Sequence, residues 1–173
     1  MSLNNRGLYG FFIVLAFAAI YTGLIAENAR TNEAIAKTKN KLLEAEKLNT
    51  LRTIAEENID RAIKEKLEEQ LRKTTNESTV KTEINNTLLQ LLEKLAETYS
   101  ENPQMEFSTG NGDKISKEFL EKNSKALVID TETGTKKAEY YIISGFGGTI
   151  KGKHFEQEIM IPTGYTVKAT VIR

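Results

Sequence analysis

The sequence predicts an α+β protein with a long N-terminal helical spine, a helical hairpin and a C-terminal antiparallel β-sheet domain. Three observations predict it. Residues 8–26 carry no charge, residues 27–73 contain neither Pro nor Gly, and from residue 104 onward the apolar residues recur in short runs broken by Gly, Asn, Asp or Pro. The expected parts are a polar tail over 1–7, an apolar helix over 8–26, a helical stalk and hairpin over 27–100, and a β-rich head over 104–173.

The 19 uncharged residues of 8–26 make a helix of about 28 Å at ~1.5 Å per residue, close to the ~30 Å hydrocarbon core of a bilayer. Tyr9 and Tyr21 sit towards its two ends, where amphipathic rings favour the interface. A buried core helix and a cleaved secretory signal are the rival readings of such a run. The first is disfavoured because a chain of 173 residues has little room to cover a helix on every side. The second is disfavoured because the run is long for a signal sequence. The segment is therefore expected to be an anchor.

Over residues 27–73 Ala, Leu, Glu, Lys and Arg dominate, all strong helix formers. Ile35, Leu42, Leu48, Leu51, Ala55, Ile59, Ala62, Leu67 and Leu71 form an amphipathic pattern without a clean heptad. Glu57 with Arg61 and Glu68 with Arg72 support its outer face at i,i+4 spacing. Six polar residues, 74–79, interrupt the pattern, with Ser78 or Thr79 placed to cap a second helix. Ile84, Leu88, Leu91 and Leu95 give that helix a core-facing stripe, and Asn102-Pro103 ends it. A hairpin of the two helices is expected; one kinked helix through residue 100 is the alternative.

Strands are expected at 105–107, 126–130, 138–144, 155–161 and 165–172, with a short helix over 116–121 behind a capping Ser116. Tyr165, Val167, Ala169 and Val171 alternate onto one face. Pro162-Thr163-Gly164 and Glu132-Thr133-Gly134 read as turns. Half of the head should pack on Leu88, Leu91 and Leu95.

Charge and composition bound the function. Lys and Arg number 24 against 24 Asp and Glu, with one His and no Cys. No half of the chain is polarised, so nucleic-acid binding is not expected. Disulfides and thiol chemistry are excluded, and a His-rich metal site is impossible. His154, read in a strand, lacks any spacing that nominates an acid or nucleophile, and a surface or sheet-edge His is expected. The Gly-rich stretch 144–152 leads into a strand rather than opening a helix, so a hairpin or bulge is expected there and not a phosphate loop. Asn111-Gly112-Asp113 with Asp130 and Glu132 lacks the alternating ligands of a calcium loop. Lys37, Lys39 and Lys41 stand among acidic residues as a solvated face. No enzyme activity, cofactor or metal is expected. Asn76-Glu77-Ser78 and Asn85-Asn86-Thr87 are sequons, usable at Asn76 and Asn85 on an exported domain.

Arg6 and Gly7, followed by the apolar run that begins at Leu8, resemble the leader of type IV pilin-like proteins. In that family an apolar helix continues into an amphipathic one and a β-sheet head closes the chain. The resemblance implies cleavage after Gly7 by a prepilin-type peptidase, with Leu8 as the new N-terminus. It also implies self-association, or association with related pilin-like subunits, in an extracellular filament whose core is the packed apolar helices. Phe12 stands where many bacterial pilins carry Glu, a departure shared by certain minor and archaeal pilin-like proteins. The Lys-, Asn- and Ile-rich composition is compatible with an archaeal or low-GC source. Ala19 and Gly23 form a small-xxx-small pair suited to close helix contact. Literal counting of positive charge favours a cytoplasmic C-terminus, whereas a pilin-type leader exports the head. The expected location is the membrane with the head outside, or a surface filament. The alternative is a single-pass anchored coiled-coil interaction protein with a small β docking domain.

Overall fold

The computed structural model describes residues 5–131 and 134–172, with side chains from residue 13 onward. The fold is α+β, with three helices and six strands among the described residues. Helix α1 runs over Asn5–Lys73, α2 over Glu77–Thr98 and α3 over Lys117–Asn123. The strands are β1 (Gln104–Thr109), β2 (Ser124–Asp130), β3 (Thr135–Ile142), β4 (Phe146–Lys151), β5 (Glu156–Ile161) and β6 (Thr166–Ile172).

The chain divides into two units, Met1–Leu43 and Glu44–Arg173. In the first, every residue from 13 to 43 is helical and exposed. The second holds the core. Its helices form the expected hairpin: Lys66 of α1 reaches Glu83 of α2 at 3.6 Å, across a connection of residues 74–76. Short connections of this kind join antiparallel helices. The cap of α2 is Asn76 rather than Ser78 or Thr79. Asn76 has extended backbone (φ −76°, ψ 109°) and its Oδ1 accepts from the Thr79 N–H at 3.1 Å. The geometry favours Asn, whose short side chain reaches a free first-turn donor. Helix α2 ends at Thr98, ahead of Pro103, with the Tyr99 N–H donating to the Leu95 carbonyl. Ser116 caps α3 by accepting from the Phe119 N–H at 3.2 Å.

The expected single antiparallel sheet is two three-stranded sheets, ordered β1-β4-β5 and β2-β3-β6. They are two halves of one long ribbon. Tyr141 opposes Thr166 in one sheet and Phe146 opposes Ile161 in the other. The register therefore carries across the break, with the same number of residues on both strands. At the break the Ile142 N–H donates to the Tyr165 carbonyl and the Gly164 N–H to the Ile142 carbonyl. The turn at Pro162-Thr163-Gly164, with φ +80° at Gly164, thus moves the chain from one sheet to the other instead of closing a hairpin. Strands β1 and β2 flank the same side of this ribbon, and α3 lies between them in sequence.

Strand β4 corrects the reading of 144–152 as a hairpin or bulge: it is the central strand of its sheet. Phe146 and Ile150 face the core, and Gly148 gives the ladder its closeness. A Cβ at Gly148 would lie 2.6 Å from the Glu106 carbonyl and 2.7 Å from the Phe107 ring. Glycine in a strand often marks such an approach.

One apolar cluster joins Ile59, Ile63, Leu67 and Leu71 of α1 to Ile84 and Leu88 of α2 and to Ala138, Tyr140, Val167, Ala169 and Val171. A second joins Leu48 and Ala55 to Leu95, Met105, Ile150 and Ile159. Leu91 packs against both. Val167, Ala169 and Val171 alternate inward as the period predicts, and Tyr165 packs beside them.

Candidate functional site

The apolar segment is left uncovered by the other described residues. Ile13, Phe17, Ile20 and Leu24 are 57%, 69%, 60% and 57% exposed. By length and composition α1 is the one helix among the described residues able to cross a membrane. Its hydroxyl at Thr22 is satisfied internally, donating to the Ala18 carbonyl at 2.7 Å. Ala19 and Gly23 lie on exposed helix, and a Cβ added at Gly23 would meet nothing within 4 Å. Arg6, Gly7 and Leu8 fall inside α1, but their side chains, like that of Phe12, lie outside the described ones. Residues 1–4 also lie outside.

Sequence reasoning missed what fastens the head to α1. His154 does not belong to a strand. It sits in the β4–β5 turn, which closes through the Gly152 N–H and the Phe155 carbonyl at 2.8 Å. Its backbone N–H donates to Glu44 Oε1 at 2.9 Å, and its ring Nδ1 lies 2.7 Å from Glu44 Oε2. These bonds hold the Glu44 carboxyl below the usual carboxylate range, the ring contact foremost. Gly152 makes the clasp possible: a Cβ there would lie 2.4 Å from Glu44 Oε1. Further along, the Tyr165 hydroxyl donates to Asp60 Oδ1 at 2.6 Å. Burial, and then the Asp60 carboxylate, push the Tyr165 phenol up. Buried Lys136 of β3 donates to the Leu71 carbonyl at 3.1 Å, a cation placed on the negative end of α1. These pairs are separated by 65 to 110 residues, so no local pattern announces them.

Asn85 corrects the sequon reading. It is 1% exposed, and its Oδ1 accepts from the Tyr140 hydroxyl at 2.7 Å and from Ser124 Oγ at 3.0 Å. A glycan cannot be accommodated there in the folded head. Burial pushes the Tyr140 phenol up to about 12. Asn76, by contrast, is exposed while serving as the cap of α2.

Among the described residues, no three His, Asp or Glu side chains converge as a metal site would require. Gly112, at φ +85°, belongs to a turn in which the Thr109 N–H meets the Asp113 carbonyl at 2.8 Å. Glu132 and Thr133 lie outside the described residues.

A concavity of about 730 Å³ opens between α2 and β1. Leu89, Leu92 and Ala96 of α2 line it together with Phe107 and Ile115, and Glu93, Glu97, Glu106 and Lys114 add both signs of charge to the lining. Its size suits a ligand or a docked segment. No family model, curated protein or solved structure matches this chain.

Proposed function

We propose that the chain is a pilin-like structural subunit, major or minor, of an extracellular filament. The exposed apolar helix carries this reading. Residues 13–25 present large side chains on all faces, a surface that requires lipid or other apolar helices around it. A continuous helix that passes from such a segment into a folded α+β head suits a subunit whose helices pack centrally while its heads face solvent. In this reading Arg6 and Gly7 precede the cut, Leu8 becomes the N-terminus, and Ala19 with Gly23 permits close helix contact. A prepilin-type peptidase is the processing partner, and the head lies outside the cell.

The test is the intact mass and N-terminal residue of the chain recovered from its native membrane or surface fraction. A start at Leu8, abolished by Gly7→Leu, is the expected result. A start at Met1 or Ser2 refutes leader processing; a start just beyond Ala26 identifies an ordinary secretory signal. A second reading, a single-pass anchored interaction protein whose residues 27–100 oligomerise, is favoured by Phe12 at the position where many pilins carry Glu.

A further inference from the structure

We propose that Asn76 is a glycosylation site, its Nδ2 receiving a glycan while its Oδ1 holds the cap of α2. The proposal rests on the reading that the head lies outside the cell, where such sequons are used. Of the two sequons in the chain, the fold leaves one open. Asn85 is enclosed with Ser124 and Tyr140, whereas residues 75–79 are all exposed. Ser78, whose hydroxyl completes the open sequon, makes no side-chain hydrogen bond among the described residues. Glu77 between them is engaged elsewhere, its Oε1 accepting from the Val128 N–H at 3.0 Å.

The cap divides the Asn76 amide between two tasks. A backbone N–H is accepted only by the amide oxygen, so the bond from the Thr79 N–H at 3.1 Å fixes which end of the amide serves α2. Asn76 Nδ2 is left with no hydrogen-bond partner among the described residues. Asp or Ser would cap the helix about as well, but neither carries an amide nitrogen. Capping alone therefore does not call for Asn at this position. The donor for the transfer is a lipid-linked sugar. Nδ2 attacks its anomeric carbon: a C–N bond forms, the anomeric C–O bond to the carrier breaks, the carrier departs with its phosphate, and one Nδ2 proton passes to solvent. The product keeps the amide oxygen, so the cap survives the modification. A bulky, solubilising group suits this exposed connection and finds no room at Asn85, which is 1% exposed.

The test is peptide mass spectrometry of the full chain recovered from its native membrane or surface fraction. Trypsin separates the two sequons, releasing residues 74–81 and 82–94. The expected result is a glycan on 74–81 and none on 82–94. Ser78→Ala and Asn76→Asp should each abolish the added mass. Asn76→Asp keeps the cap and should leave the melting of the head unchanged. An impermeant lysine reagent, applied to a parallel sample of intact cells, reports through exposed Lys125 and Lys168 on which side of the membrane the head lies. Tagged head lysines with a bare 74–81 peptide overturn the proposal and leave the exported reading standing. Lysines tagged only after lysis overturn the exported reading, and the proposal with it. A glycan on 82–94, or one that persists in Asn76→Asp, overturns the assignment to Asn76.

Discussion

Asn85, Ser124 and Tyr140 form a buried polar cluster whose energetics can be worked out bond by bond. Ser124 Oγ has one hydrogen and two acceptors in reach, Asn85 Oδ1 at 3.0 Å and the Leu120 carbonyl at 2.7 Å. The Tyr140 hydroxyl donates to Asn85 Oδ1 at 2.7 Å, it also lies within hydrogen-bonding reach of Ser124, and its side chain is fully buried. Asn85 Nδ2 is buried with no hydrogen-bond partner among the described residues. Replacing Asn85 by the similarly shaped Leu removes both bonds to its Oδ1 and leaves the Tyr140 O–H with Ser124 Oγ as its remaining partner, at a cost of about 1–2 kcal/mol. Tyr140→Phe removes one bond but leaves Asn85 Oδ1 within reach of Ser124, at a cost of about 1 kcal/mol. The double variant strands neither, and it also removes the unsatisfied Nδ2. It should be near wild-type stability or above it, a coupling of roughly 2 kcal/mol between the two sites. Urea denaturation of the detergent-solubilised chain, followed by near-ultraviolet circular dichroism of the head, measures all three. Additive losses in the double variant would refute this account of the cluster.

Two further outcomes follow from single contacts. The Glu44 carboxyl is held below its ordinary value of 4.5 by His154. A carboxyl lowered in the fold stabilises it above that pH and loses its contribution as pH falls through the lower, folded value. Amide exchange at His154 should therefore accelerate below about pH 4.5 relative to the sheet amides, and Glu44→Gln should flatten that dependence; equal acceleration throughout the head would count against a local clasp. Gly148→Ala should destabilise the head by about 2–3 kcal/mol, because its Cβ would meet the Glu106 carbonyl at 2.6 Å, backbone that cannot step aside. Gly23→Ala, with nothing within 4 Å, should cost nothing in thermal melting, and similar losses for both would show that the close approach at Gly148 does not set its cost.

The helices were legible because their signals are local: uninterrupted helix formers to Lys73, the stripe Ile84–Leu88–Leu91–Leu95, and Ser116 three residues before the Phe119 N–H. Five of the six strands were legible from β-type runs. Strand β4 was not, because Gly147 and Gly148 lower its propensity, and only the neighbouring strands show why glycine belongs there. The division into two sheets was hidden as well. Pro162-Thr163-Gly164 reads the same whether it closes a hairpin or carries a ribbon across a bend. Asn85 shows the limit for sites: its sequon is a surface signal, yet positions 84, 85, 88 and 92 of α2 are all buried, and a stripe read from apolar residues alone leaves the Asn out.

Leu42 and Leu48 lie on the same helix in similar local sequence, yet they are 60% and 1% exposed. What separates them is a residue over a hundred positions away. Gly152 lets the β4–β5 turn lie so close on Leu48 that a Cβ there would be 3.0 Å from its Cδ1. Burial along α1 is therefore assigned by the head, and no property of the helix alone predicts where it begins. The apolar residues that remain exposed fall into two kinds. Residues 13–25 are uncharged, so hydrocarbon, whether lipid or neighbouring helices, can surround them on every side. Ile35 and Leu42 belong to a stretch that also carries Glu27, Arg30, Glu33, Lys37, Lys39 and Lys41, charges that hydrocarbon excludes. The two stretches of one helix therefore suit different surroundings, and the change falls at Glu27, where the uncharged run ends.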